Sequence, residues 1–176
     1  YRPRAALAPA GKGTGAIYEQ WVAHSAEAGI DVQPVLEPIS VALGDGARLE
    51  LRPVAPAPAS AKSGPHVAIR LVYGEFAVVF GGNLDPRAQQ GLVDEAAPLR
   101  GTVLVVPRNG GPGSLSPAFA RAVAPAGAAI IADPAAKADS PSGDTLDQLA
   151  GLPIFRTDQL GSLEFVSDGH SWGLRR

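Results

Sequence analysis

The chain has 176 residues, of which 45% are hydrophobic and 18% charged, enough for one domain with its own core and too apolar for a disordered chain. A net charge of −2 excludes nucleic-acid binding by global charge, and the lack of cysteine excludes disulfides and thiolate metal sites. No apolar run approaches the roughly 20 residues that cross a bilayer.

Residues 1–13 read as a loop or frayed strand, without a signal-peptide core. There is no methionine, so the chain is expected to be a piece of a longer protein, whose remainder could carry membrane segments. "TGAIYEQWVAHSAEAG" reads as a helix capped by Thr14 and ended by Gly29, with Ile17, Trp21 and Ala28 on one face. "IDVQPVL" is a weak strand interrupted by Pro34.

"ISVALGDGARLELRPV" alternates on both sides of Gly44-Asp45-Gly46, the signature of a hairpin. Ile39, Val41 and Leu43 are expected on one face, and Leu49 and Leu51 on another. Residues 55–65 are a low-complexity Pro/Ala/Ser loop. "HVAIRLVYGEFAVVFGGN" is a second hairpin turning at Gly74-Glu75.

The rhythm then changes. "PRAQQGLVDEAAPL" is a short helix, and "TVLVVP" an apolar strand of the buried kind. "SPAFARAVAP" is a helix with Ser116 as N-cap and Pro117 at its first position. "AAIIAD" is another buried strand, and "GDTLDQLAGL" a helix for which Asp144 fits the N-cap. "PIFRT" is a short strand, in which Arg156 and Asp158 could pair at a sheet edge. "SLEFVSDGHSWGLRR" closes as a hairpin around Asp168-Gly169. Hairpins followed by alternating strands and helices predict a single α/β (α+β) domain over 1–176, a sheet with helices on one face.

The chemistry-bearing residues are sparse. His24, His66 and His170 fall on unrelated elements, and Trp21 and Trp172 read as packing residues. Ser114 and Ser116 have no nearby His or Lys base, so a serine nucleophile is not indicated. Asp133, Asp139 and Asp144 read as turn and cap residues. In "VVPRNGGPGSLSPAF" an apolar strand enters a Gly-rich loop and then a helix, a layout that can hold chemistry at a strand's end. Backbone N–H groups of Gly110 and Gly111, the start of the next helix and the Arg108 guanidinium could together hold a phosphate. The plainer reading is a turn beside a solvated arginine.

The order of "IRLVYGEFAVVFGGN", "VLVVPRNGGPGSLSPAF", "AIIADPAAKADSPS" and "FRTDQLGSLEFVSDG" resembles the soluble metallo-β-lactamase-fold domain of ComEC-type DNA-internalisation competence proteins, from about residue 15 to the end. The resemblance implies the C-terminal half of an αββα sandwich, truncated at its N-terminus relative to the family. Active relatives hold a zinc or manganese pair that activates a bridging water, with ligands from H-x-H-x-D-H, from the Asp of T-G-D and from later histidines. Here H-x-H-x-D-H is absent, Gly81-Gly82-Asn83 replaces T-G-D, Arg108 and Asn109 replace the pair of H-H-G-S, and Ser140 replaces the His of H-P-S.

Asn83, Arg108, Asn109 and Ser140 are thus expected to be vestigial ligand positions, with no catalytic residue, metal or cofactor. The resemblance implies a catalytically degenerate domain of a polytopic DNA-uptake protein in a bacterial membrane, with the extracytoplasmic side favoured. Its expected partners are single-stranded DNA, the transmembrane remainder, and a second copy or the missing N-terminal half against an uncovered sheet face. The alternative is a metal-dependent phosphodiesterase or nuclease that completes its site, with Zn or Mn, from that missing half or a partner.

Overall fold

The computed structural model describes residues 3–11, 16–54, 65–133 and 140–175. The Thr14 cap, Asp139 and nearly all of the Pro/Ala/Ser loop lie outside them. The fold is mixed α/β. A seven-stranded sheet takes its strands in chain order: β3 (Ile39–Gly44), β4 (Ala47–Val54), β5 (His66–Tyr73), β6 (Phe76–Phe80), β7 (Val103–Val105), β8 (Gly127–Ile130) and β9 (Ile154–Arg156). The first four strands are antiparallel hairpins, and β6 to β9 run parallel.

Three helices make the crossovers between the parallel strands: α2 (Pro86–Asp94), α3 (Pro117–Val123) and α4 (Gly143–Gln148). They cover one face of the sheet, where Leu92, Phe119, Val123 and Leu149 close over Val79, Leu104, Ala128 and Ile130. Phe119 is fully buried there, and a Phe removed from water contributes about 1.5–3 kcal/mol. Each helix begins on its own cap. Asp85 accepts from the Arg87 and Ala88 N–H groups, and Ser116 from Phe119 N–H, with a proline at each first position.

The α4 cap is Ser142, which accepts from Thr145 N–H, rather than Asp144. Asp144 falls in the first turn, where an acidic side chain faces the positive end of the helix dipole. The first hairpin also differs in detail from its expectation. Ile39 pairs with Leu51 and Val41 with Leu49, so the two apolar rows share one face instead of lying on two.

On the opposite sheet face lies a ribbon of β10 (Glu164–Ser167) and β11 (Trp172–Arg175), reached through α5 (Thr157–Leu160). Phe165 and Trp172 from this ribbon join Phe76 and Phe155 of the sheet, with ring centroids 5.5–6.4 Å apart. Trp172 thus packs, as expected, and Phe80 and Ile131 stay exposed. The ribbon is tied down where Glu75 and Phe76 N–H groups donate to the Gly169 carbonyl at 2.6 and 3.2 Å.

That turn depends on Asp168. Its carboxylate accepts from His170 N–H, Ser171 N–H and the Ser171 hydroxyl, and these bonds hold its pKa down to about 2. The folded value lies below the unfolded one, so the contribution is present above about pH 4 and is lost as pH falls towards 2. Asp168→Asn is expected to flatten the fall in Tm over that window, read by calorimetry. An undiminished acid-induced fall in the variant would show that the turn does not titrate this way.

At the other end, β1 (Ala5–Pro9) and β2 (Asp31–Val35) form a parallel ribbon joined by α1 (Ala16–Glu27) and packed against β4 and β5. Residues read as a loop or frayed strand thus pair, and β2 continues through Pro34. The α1 face that carries Ile17, Trp21 and Ala28 is exposed: Ile17 is 85% accessible and Trp21, read as a packing residue, is 38% accessible beside Tyr18. Only Ser25 of this helix is buried. Spacing defines which residues share a helix face, but not which face meets the core.

Candidate functional site

Because β6 to β9 run parallel, their carboxyl ends lie along one edge, where open α/β sheets hold their ligands. The four sequence-derived positions all fall in loops leaving that edge. Asn83 follows β6, Arg108 and Asn109 follow β7, and Ser140 lies between β8 and α4.

Short hydrogen bonds join these loops. Gly81 N–H donates to the Val105 carbonyl at 2.8 Å, and Arg108 N–H to Gly82 at 2.7 Å. Ser142 N–H donates to Gly110 at 2.8 Å, and the Ser140 hydroxyl to Asn109 at 2.5 Å. The Thr157 hydroxyl, at the end of β9, donates to the Ala132 carbonyl at 2.7 Å and accepts from Ala132 N–H at 2.9 Å.

Two glycines allow the close approach. A Cβ on Gly81 would lie 2.6 Å from Pro107, and one on buried Gly110 would lie 3.1 Å from Pro141. Arg108, Asn109 and Gly110 all have positive φ (48°, 57° and 72°). This left-handed conformation costs a non-glycine residue about 1–2 kcal/mol and persists where its surroundings enforce it. The enforcing contacts here are the three loop-to-loop hydrogen bonds at Arg108, Asn109 and Gly110.

Beneath the loop the structure holds two polar features that the sequence reading missed. Gln89 of α2, completely buried, donates to the carbonyls of Leu84 and Ser114 at 2.9 and 2.6 Å and accepts from Ser116 N–H at 2.8 Å. Its signal was its spacing, since it lies three residues before the core residue Leu92. Ser114, Ser142 and Thr145 form a buried hydroxyl cluster with oxygens 3.2–3.4 Å apart. Ser142 and Thr145 are joined locally by the α4 cap, but Ser114 lies 31 positions from Thr145, so no local pattern links the three.

The side chains at the edge define what it can do. Asn83, Arg108 and Asn109 are exposed, and the Arg108 guanidinium has no partner among the described residues. Gly110 is committed to packing, Gly111 N–H donates to the Arg108 carbonyl at 3.2 Å, and the start of α3 is occupied by its own cap. Among the described residues no three His, Asp or Glu side chains gather as a cation-ligand set. At the end of β9, Arg156 forms the expected pair with Asp158 through two hydrogen bonds of 3.0 and 2.5 Å. These bonds, with Arg156's positive charge, outweigh desolvation and lower the Asp158 pKa.

The histidines lie apart, on α1, at the start of β5 and at the tip of the β10–β11 ribbon. No helix among the described residues is long and apolar enough to cross a membrane. No family model matches the chain, and no curated protein matches it.

Proposed function

We propose that the chain is a catalytically degenerate metallo-β-lactamase-like domain of a ComEC-type DNA-uptake protein of a bacterial membrane, with a structural or DNA-guiding role. The observation that carries this reading is the convergence of Asn83, Arg108, Asn109 and Ser140 on one strand-end edge. By the resemblance these are metal-ligand positions, at which two amides, a guanidinium and a hydroxyl stand. A permanently cationic Arg108 opposes a metal ion and favours a phosphate. In this reading the left-handed loop presents Arg108 to the backbone of single-stranded DNA, and the stitched loops hold it in place.

The test uses the purified protein with Zn²⁺ or Mn²⁺ and a single-stranded oligonucleotide. Salt-dependent binding without cleavage or stoichiometric metal uptake is expected. Arg108→Ala is expected to weaken binding and to reduce the salt slope by about the 0.7 of one lost phosphate contact. Stoichiometric metal binding with cleavage would establish the phosphodiesterase instead. Binding unaffected by Arg108→Ala would remove Arg108 from the DNA contact.

A further inference from the structure

Away from the strand-end edge, the sheet's outer strands leave a second concave surface. Helices α2 and α3 cover β6 to β8, and α2 touches β4 without filling the space over β4 and β5. This leaves a cleft of about 280 Å³ between β4–β5 and the segment leaving α2. Its walls are apolar, formed by Ala68 and Val79 of the sheet with Leu92, Ala97, Leu99 and Phe119 opposite.

One side of the cleft is charged. Glu50 accepts from Arg48 at 3.0 Å and from Arg70 at 2.8 Å, and Arg70 also donates to the Arg100 carbonyl at 2.7 Å. Glu50 is therefore neutralised and held in place. Arg52, also lining the cleft, reaches Glu95 only at 3.8 Å, and Glu95 is 62% exposed. These five groups carry one positive charge in excess, and Arg52 is the cation among them with the loosest partner.

We propose that this cleft binds a small amphipathic carboxylate, its tail against the apolar wall and its head group on Arg52. A cleft of this volume, open on one side, suits a small ligand such as a medium-chain acid. A few polar groups at one side of an apolar pocket are the usual means of orienting such a ligand.

The probes are octanoate, octylammonium and 1-octanol, each titrated into the protein by calorimetry and by amide NMR. Octanoate is expected to bind at least tenfold more tightly than either of the others, with shifts centred on Arg52, Ala68, Ala97 and Leu99. Arg52→Ala is expected to bring octanoate to the level of octanol, Arg52→Lys to recover part of the loss, and Glu95→Ala to tighten octanoate by releasing Arg52. If Arg52→Ala fails to fold, the Lys and Glu95 variants decide. Equal affinity for the three probes, shifts centred elsewhere, or indifference to Arg52 and Glu95 would overturn the proposal.

Discussion

Gln89→Leu is expected to destabilise the fold by about 3–5 kcal/mol. The substitution keeps an apolar side chain of similar length in the core, so the loss comes from hydrogen bonding. Two buried carbonyls (Leu84 and Ser114) and the half-buried Ser116 N–H lose the side chain that pairs them. Leaving a buried polar group unpaired costs about 1–3 kcal/mol, and local relaxation recovers part of the sum. Urea unfolding followed by circular dichroism measures the loss. The neighbouring Gln90→Leu is the control. Gln90 is exposed and its side chain bonds to Asp94 alone among the described residues, so its change should stay within about 0.5 kcal/mol. A loss below about 1 kcal/mol for Gln89→Leu would mean that water replaces the side chain and that the clamp is not a principal tie between α2 and the candidate site.

This clamp also marks where legibility in the sequence ended. The hairpins were readable because period-two alternation met glycine turns at Gly44–Gly46, at Gly74 and at Gly169, three places where the chain has positive φ. The start of α3 was readable because Ser116-Pro117 combines a cap with a residue suited to the first turn. In sequence the α4 cap reads as Asp144, because an acidic residue suits both a cap and a first turn, and composition does not separate the two places. The helix begins at Gly143, and only the residue immediately before it can cap. The exposure of the α1 face was not legible for a related reason. Ile17 and Trp21 do lie one turn apart, but what decides burial is the β1–β2 ribbon, whose parallel pairing has no local signature.

At the candidate site, the loops were legible from the ends of apolar strands, since a parallel sheet necessarily brings those ends together. Their mutual contacts were not. That Gly81 lies against Pro107, or Gly110 against Pro141, is a tertiary fact about residues about 26 and 31 positions apart. Glycine in these loops suggested turns and, at Gly110 and Gly111, backbone N–H groups for a phosphate. Their actual roles differ: Gly82 supplies a positive φ in open space, whereas Gly81 supplies the absence of a side chain.

Gly81→Ala tests that difference and the candidate site together, with an expected loss of about 2–4 kcal/mol. Its Cβ would lie 2.6 Å from the Pro107 ring and from its backbone nitrogen. Neither a proline ring nor a peptide nitrogen can rotate away, so the ends of β6 and β7 have to separate. Overpacking of this kind costs about 1–3 kcal/mol, and the weakened bonds from Gly81 to Val105 and from Arg108 to Gly82 add to it. Gly82→Ala is the comparison. It has no atom within 4 Å of its Cβ and pays only for φ of +47°, about 1–2 kcal/mol. If the stitched edge holds Arg108 against a phosphate, Gly81→Ala should weaken single-stranded DNA binding even where the protein remains folded. Gly82→Ala, which leaves Pro107 in place, should weaken it less. Equal stability losses in the two variants would show that the close approach at Pro107 relaxes freely, and the edge would then lack the rigidity needed to aim Arg108.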